Sequence, residues 1–145
     1  MKFKVYLAGS VYSEPEDISW KMNLMKTIID DYKCNDFIFY DPNPAFENKL
    51  DKENDIRFHV VPKDKKIISE CDILVAYVQK ASFGTAMEIG YAYDKSTIQV
   101  ITINPNQKFA SDIWLNHHSH KMTFSVERCA EELIWISKAM LVYNK

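Results

Sequence analysis

The chain has 145 residues, 47% of them hydrophobic and 26% charged, which is the composition of one globular domain. It contains 18 Lys and Arg against 20 Asp and Glu, a formal net charge of -2. A near-neutral chain lacks the net positive charge that is typical of proteins that bind polymeric DNA or RNA, so the composition argues against that class. No apolar run reaches the roughly 20 residues that a membrane-spanning helix requires.

The three cysteines are Cys34, Cys71 and Cys129, an odd number without a C-x-x-C pair. This spacing indicates neither a disulfide framework nor a zinc ribbon. We therefore expect reduced thiols and a cytoplasmic protein.

Hydrophobic patterning predicts a strand followed by a helix at the start of the chain. Phe3, Val5 and Leu7 alternate with Lys2, Lys4 and Tyr6, which predicts a strand over residues 2–8. A capping box then predicts a helix start, with Ser13 as N-cap and Glu16 three residues later, and the helix runs to about residue 32. Apolar residues one turn apart are expected to face the core: Ile18, Met22, Met25, Ile29 and Tyr32.

Strands and helices alternate along the rest of the chain. An aromatic run predicts a strand at 37–40, a polar stretch at 45–55 predicts a loop, and Pro62 begins a helix that ends near residue 71. Further strands are predicted at 73–78, 98–103 and 121–124, and helices at 85–94, 110–115 and 126–141. This order predicts a single α/β domain over residues 1–145, with a parallel sheet and right-handed crossovers.

In such sheets ligands bind outside the carboxyl ends of the strands. Two loops occupy that edge, Gly9–Ser13 after the first strand and Gln79–Thr85 after the strand at 73–78. The chain has only 3 glycines, Gly9, Gly84 and Gly90. Because the average glycine content is about 7%, we expect each of them to lie where a side chain cannot fit.

Glu88 is the carboxylate most suited to chemistry. The loop before it carries Ser82, Gly84 and Thr85 at a helix start, where free backbone N–H groups suit a phosphate or another anion. The positive end of the helix dipole favours the ionised form of Glu88, so a crevice there would hold a nucleophile. The alternative is that Glu88 merely favours a helix start and faces water.

Two aspartates precede the buried strand at 73–78. Asp64 lies in the first turn of its helix, where an acid is favoured for structural reasons alone. Asp72 lies at the amino end of the strand, away from the ligand-binding edge, and is expected to have a structural role.

Three of the four histidines, His117, His118 and His120, are clustered. Imidazoles bind zinc, but this segment lacks a helical i, i+4 pair and a spaced third ligand. We expect no metal and no other cofactor; a polar loop at a subunit contact fits the cluster equally well.

Three segments resemble one enzyme family. They are residues 5–10 (Val-Tyr-Leu-Ala-Gly-Ser), the stretch from Asp64 to residue 76, and residues 84–92 (Gly-Thr-Ala-Met-Glu-Ile-Gly-Tyr-Ala). Together they resemble the nucleoside 2-deoxyribosyltransferases, whose superfamily includes the 2'-deoxynucleoside 5'-monophosphate N-hydrolases. The resemblance covers residues 4–103 and implies a flavodoxin-like three-layer sandwich with a five-stranded, mainly parallel sheet.

The resemblance also implies roles for single residues. Glu88 matches the nucleophile that attacks the anomeric carbon and holds the deoxyribosyl group, and Asp64 matches the acid that assists departure of the base. Gly9 and Ser10 would line the sugar. In this family a neighbouring subunit completes the site, which implies a homodimer or a higher homo-oligomer.

Two serines bear on the choice of substrate. Many transferases of this family have an aspartate six positions before the nucleophile, where it reaches the 5'-hydroxyl of the sugar, and this chain has Ser82 there. The monophosphate hydrolases have a serine that contacts the 5'-phosphate, and Ser119 matches a second phosphate-binding serine from their partner subunit. The residues around Glu88 look more like the transferases, so both assignments stay open.

We therefore expect an enzyme that cleaves the N-glycosidic bond of 2'-deoxyribonucleosides through a glutamyl–deoxyribosyl intermediate and transfers the sugar to another base. The alternatives are hydrolysis of 2'-deoxynucleoside 5'-monophosphates and a non-catalytic nucleotide-binding module. The expected partners are a deoxynucleoside or deoxynucleotide and a free nucleobase, with no polymeric nucleic acid and no membrane.

Overall fold

The computed structural model describes residues 2–10, 16–42 and 60–143. The predicted loop at 45–55 and the predicted capping residue Ser13 lie outside these ranges. The strands are β1 (Phe3–Ala8), β2 (Phe37–Tyr40), β3 (Ile73–Tyr77), β4 (Gln99–Ile103) and β5 (Lys121–Thr123). The helices are α1 (Glu16–Lys26), α2 (Val61–Ser69), α3 (Phe83–Asp94), α4 (Ile113–His117) and α5 (Val126–Tyr143). A π-helical turn (Thr27–Asp31) continues α1, and a 3-10 turn (Pro105–Gln107) follows β4.

The five strands form one sheet in the order β2-β1-β3-β4-β5, and every neighbouring pair is parallel. This order is that of the flavodoxin-like doubly wound fold. The predicted α/β class and parallel sheet are confirmed.

Two hydrophobic cores, one on each face of the sheet, give the molecule three layers. Val5 and Leu7 of β1 face the layer of α1 and α5, whereas Tyr6 and Ala8 face the layer of α2 and α3. The strands are buried on both faces because helices cover both, as in other parallel sheets. Within the described ranges, none of the helices combines the length and apolar character that crossing a bilayer requires.

The prediction of the buried face of α1 is wrong for Met22, Ile29 and Tyr32 and correct for Met25, which packs against the core of this layer. The side chain of Ile18 lies outside what the structure describes. Met22 is 71% exposed and Ile29 is 47% exposed, while Trp20, Leu24 and Ile28 are buried against the sheet. Two apolar stripes on this helix satisfy the helical period, so spacing alone does not choose between them. The buried stripe is the one that contains Trp20. The indole of Trp20 stacks on Tyr77 of β3, with ring centroids 5.2 Å apart.

The sheet changes direction of winding between β1 and β3. The chain leaves β1 for α1 on one face and leaves β3 for α3 on the opposite face, which opens a crevice at the carboxyl ends of these two strands. At the other end of the strands, the backbone N–H of Lys4 donates to Asp72 Oδ2 over 2.8 Å. The predicted structural role of Asp72 is thereby confirmed.

Candidate functional site

The start of α3 is built around Ser82. Its Oγ accepts hydrogen bonds from the backbone N–H of Thr85 over 3.4 Å and from Thr85 Oγ1 over 3.2 Å. Thr85 is itself buried against the sheet, so the cap fixes the helix start at the carboxyl end of β3. With its acceptor capacity used by Thr85, the Ser82 hydroxyl has its own proton to offer a ligand.

Glu88 lies one turn further along α3. Thr85, Ile89 and Ala92 form the buried face of the helix, and Glu88 lies on the flank of that face. The side chain is half-buried, and its Oε2 atom is buried. The alternative that Glu88 is a surface carboxylate facing water does not fit this burial.

The carboxylate of Glu88 raises the pKa of Tyr6, a buried residue of β1. Burial is the main cause that raises the pKa of Tyr6, followed by the negative charge of Glu88 and then that of Asp64. Tyr6 is thus a neutral hydrogen-bond donor at neutral pH, like any tyrosine, and the raised pKa extends that state to higher pH. Glu88 and Asp64, assigned as a pair from sequence, are therefore both within electrostatic range of one hydroxyl.

The packing of α2 on α3 places Asp64 and Glu88 on neighbouring helices of the same layer. Asp64 is in the first turn of α2 and half-buried. The ammonium of the next residue, Lys65, lies 5.2 Å from the ring centre of Tyr91, which follows Glu88 by about one helical turn. The two helices share the face of the sheet onto which Tyr6 projects.

Gly9 and Ser10 follow β1 at the crevice. A Cβ atom on Gly9 would lie 3.2 Å from Trp20 Nε1 and Cζ2, so the loop passes too close to the indole for a side chain. For Gly9 the prediction that a side chain cannot fit is confirmed. Ser10 is half-buried beside it.

For the two glycines of α3 the same prediction is wrong. A Cβ atom on Gly84 or on Gly90 would meet nothing within 4 Å among the described parts of the chain, and neither residue has a positive φ. Among the described residues, neither the packing nor the backbone requires glycine at these two positions. Gly84 lies one turn before Glu88 on the same flank, so its missing side chain leaves open space beside that carboxylate.

Ser119 lies at the other end of α3, in the turn between α4 and β5. Its Oγ donates to the carbonyl of Leu115 over 2.6 Å and lies 3.0 Å from Thr102 Oγ1. Ser119 therefore bonds to α4 and β4, and neither of these hydrogen bonds involves the start of α3, where Ser82 lies.

The clustered histidines surround Tyr93 near the end of α3. The ring centroids of His117, His118 and His120 lie 5.4, 5.0 and 5.0 Å from that of Tyr93. The Nδ1 atom of His120 accepts a hydrogen bond from the backbone N–H of Val100 over 2.9 Å. Across the described residues, no three side chains of His, Cys, Asp or Glu are arranged to hold a metal ion.

Tyr6 was not among the predicted site residues. The alternation in β1 groups it with Lys2 and Lys4, and α2 and α3 cover its side of the sheet. The available signal was a tyrosine flanked by valine and leucine in a strand of a parallel sheet, which is buried on both faces.

The buried cysteines are unsuited to nucleophilic chemistry. Burial raises the pKa of Cys71 to about 11, and burial also raises the pKa of Cys129. Both side chains therefore remain protonated thiols at neutral pH, whereas a thiolate is the reactive form.

The solved structures that are similar to this chain include the following three. A conserved protein from Enterococcus faecalis V583 has a TM-score of 0.70 and 19% identity, covering 93% of this chain and 99% of that one. A 2-deoxyribosyltransferase from Bacillus psychrosaccharolyticus has a TM-score of 0.65 and 20% identity, with coverage of 88% and 90%. A CMP N-glycosidase from Clostridium botulinum has a TM-score of 0.55 and 15% identity, with coverage of 92% and 98%.

At the sequence level, none of the curated proteins matches the chain. The family model of the nucleoside 2-deoxyribosyltransferases, by contrast, matches residues 5–133, which is most of the chain. This match agrees with the fold. The chain belongs to the nucleoside 2-deoxyribosyltransferase family.

Proposed function

We propose that this protein cleaves the N-glycosidic bond of 2'-deoxyribonucleosides and transfers the deoxyribosyl group to another nucleobase through a covalent bond to Glu88. The observation that carries the proposal is the convergence of Glu88 and Asp64 on the buried phenol of Tyr6. Family membership supports chemistry of this class. So do the names of two proteins of the same fold, a 2-deoxyribosyltransferase and a CMP N-glycosidase.

In the proposed reaction the carboxylate of Glu88 attacks C1' of the sugar. The bond between C1' and the base nitrogen breaks, its electron pair leaves with the base, and Asp64 gives a proton to that base. The transition state resembles an oxocarbenium ion, which a carboxylate stabilises and then traps. A second base then attacks C1', releases Glu88 and returns a proton to Asp64. This double displacement retains configuration and requires the two carboxyl groups to lie about 5 Å apart.

Tyr6 is a positioning residue in this scheme. Because burial and two negative charges raise its pKa, the phenol keeps its proton and is available to donate it to the Glu88 carboxylate. A hydrogen bond of this kind orients the nucleophile toward C1', and the half-buried surroundings of Glu88 strengthen it.

Hydrolysis of deoxynucleoside 5'-monophosphates is the second candidate function. The hydrogen bonds that the Ser82 hydroxyl accepts favour it. The two hydrogen bonds from Thr85 use the acceptor capacity of the Ser82 hydroxyl, so the hydroxyl meets a ligand as a donor. A fully ionised 5'-phosphate carries hydrogen-bond acceptors and no donor, so it pairs with a hydroxyl that donates. The start of α3 adds a positive dipole end, so this edge of the crevice suits an anion.

The test is chromatography of a deoxynucleoside or its 5'-monophosphate, incubated with the purified chain with and without a second free base. We expect exchange of the base. Release of base from the monophosphate without exchange would assign the hydrolase, and saturable binding without any release would assign a non-catalytic binding module.

Glu88→Ala should lower turnover on the order of 10⁴-fold or more, because no other residue is assigned to form the covalent bond to C1'. The matched control is Glu70→Ala, which removes an exposed glutamate at the end of α2. Circular dichroism should give the same folded spectrum for both variants. Full activity of the Glu88→Ala protein would refute the assignment.

A further inference from the structure

Two buried polar atoms have no hydrogen-bond partner among the described residues, the indole Nε1 of Trp20 and the amide Oε1 of Gln79. Trp20 is only 2% exposed, so bulk water does not reach its N–H group. In folded proteins nearly all buried polar atoms are paired, and each exception needs a specific cause. A bound ligand that supplies the missing partners is such a cause.

Both residues lie at the carboxyl end of β3. The indole of Trp20 stacks on Tyr77, the last residue of that strand, with an interplanar angle of 8°. Gln79 follows Tyr77 by two residues, in the loop that leads from β3 to the cap residue Ser82. Because ligands of parallel α/β sheets bind at the carboxyl ends of the strands, both residues border the crevice between β1 and β3.

The N–H edge of the indole is turned toward Gly9, at the end of β1. A Cβ atom on Gly9 would lie 3.2 Å from Nε1 and from Cζ2, but 3.5 Å from Cε2, the ring atom between them. A point that is nearer to the two outer atoms than to the atom joining them lies beyond that edge of the ring and not over its face. The acceptor of an N–H group lies about 2.9 Å away, so a side chain at position 9 would obstruct an acceptor for Trp20.

The two atoms require opposite partners. The Trp20 N–H group only donates, and the Gln79 Oε1 atom only accepts. A hydroxyl group is both an acceptor and a donor, so it offers what each of them lacks. A fully ionised phosphate or a carboxylate has no proton to donate to Gln79. The two atoms therefore suit an alcohol, such as a sugar hydroxyl, and not an anion.

We propose that Trp20 and Gln79 bind the 3'-hydroxyl of the deoxyribose. This inference rests on the proposed function, in which Glu88 bonds to C1' and Ser82 lies at the 5' end of the sugar. The 3'-hydroxyl is the one hydroxyl of 2'-deoxyribose that those assignments leave without a partner. Trp20 donates to its oxygen, and the hydroxyl donates its proton to Gln79. Contacts at C1', C3' and the 5' end together fix the orientation of the sugar against Glu88.

An acceptor that is kept for a ligand and one that stabilises the fold respond oppositely to substitution. Methionine is close to glutamine in size and lacks the amide oxygen. Because Oε1 has no partner among the described residues, Gln79→Met removes an unsatisfied buried acceptor and should leave the melting temperature equal or raise it. If Gln79 stabilised the fold through a hydrogen bond, the same substitution would lower the melting temperature.

The experiment is isothermal titration calorimetry with the four common 2'-deoxyribonucleosides and their 2',3'-dideoxy analogues. Every protein carries Glu88→Ala, so that no nucleoside is consumed. This parent protein should bind at least one deoxynucleoside tenfold or more tightly than its dideoxy analogue. Adding Gln79→Met should reduce that ratio to less than threefold by weakening only the deoxynucleoside. The matched control is Gln99→Met, at an exposed glutamine on the opposite, amino end of β4, which should keep the full ratio.

Trp20→Phe tests the donor separately. Phenylalanine keeps a ring against Tyr77 and lacks the N–H group, so the ratio should fall at least threefold even where the smaller ring lowers the melting temperature. Trp135→Phe is its control, because Trp135 is 67% exposed on α5, and it should keep the ratio of the parent.

Three results would overturn the proposal. They are a parent protein that binds both forms of the sugar equally or neither of them, ratios that are unchanged in both Gln79→Met and Trp20→Phe, and a Gln79→Met protein with a lower melting temperature and an unchanged ratio. Because binding is measured without turnover, none of these results decides whether Glu88 forms the covalent bond. That assignment is tested by the chromatography of released base.

Discussion

The phenol of Tyr6, on β1, lies near the carboxylate of Glu88, on α3, on the same face of the sheet. The charge of that carboxylate is, after burial, the largest cause that raises the pKa of Tyr6, and Asp64 contributes in the same direction. The charges of two acids from different helices thus act on one buried hydroxyl. We propose that these three residues, from β1, α2 and α3, form the centre of the site.

The role of Tyr6 can be separated from its role in packing. Tyr6→Phe keeps the buried ring but removes the donor, so kcat should fall about 10- to 100-fold, the value of a hydrogen bond to a charged group. KM should change little, because Tyr6 acts through Glu88 and not through the substrate. Steady-state kinetics with thermal unfolding as the control measures this, and an unchanged kcat would remove Tyr6 from the mechanism.

Asp64 is expected to act as the acid for the leaving base. Asp64→Asn keeps the size of the side chain and removes the proton, so turnover of substrates with poorly leaving bases should fall about 100-fold or more. Substrates whose bases leave easily should lose much less. Rates measured across a series of bases of graded leaving ability test this, and an equal loss for every base would contradict the acid role.

Ser82 is expected to decide between a 5'-phosphate and a 5'-hydroxyl. Ser82→Asp preserves the helix cap, because aspartate is as good an N-cap as serine, but it places a negative charge at the crevice. Use of the 5'-monophosphate should fall at least tenfold while use of the deoxynucleoside is retained. Ser82→Asn is the matched control, with the cap and without the charge. If the aspartate and asparagine variants favour the same substrate, Ser82 does not contact the 5'-phosphate.

Gly84 is expected to serve the ligand and not the fold. Gly84→Ala introduces a methyl group that meets nothing within 4 Å in the described chain, and alanine favours a helix by up to about 1 kcal/mol over glycine. The melting temperature should therefore stay equal or rise, while KM should increase severalfold because the methyl occupies space beside Glu88. A lower melting temperature with unchanged KM would reverse this interpretation.

Local patterning accounts for most of the fold. Proline positions, alternating strands and helical periods in the amino-acid sequence predicted the five strands and five α-helices of the described ranges to within a few residues, but not the 3-10 turn at Pro105–Gln107. These are short-range effects of backbone conformation and burial, which is why one sequence suffices. The same patterning failed on the buried face of α1, because both Met22 and Trp20 belong to apolar stripes of helical period and only contact with Tyr77 distinguishes them.

The motif around Glu88 and the aspartate at position 64 were likewise readable from the sequence alone, since both depend on residue type and order. Tertiary structure alone decided that these two acids meet at Tyr6. It also decided that Gly9 is required by the close approach of Trp20, whereas nothing in the described part of the chain requires glycine at positions 84 and 90. The physical reason is that burial and charge act through space between β1, α2 and α3, and the distances between those elements are set by the packing of both faces of the sheet.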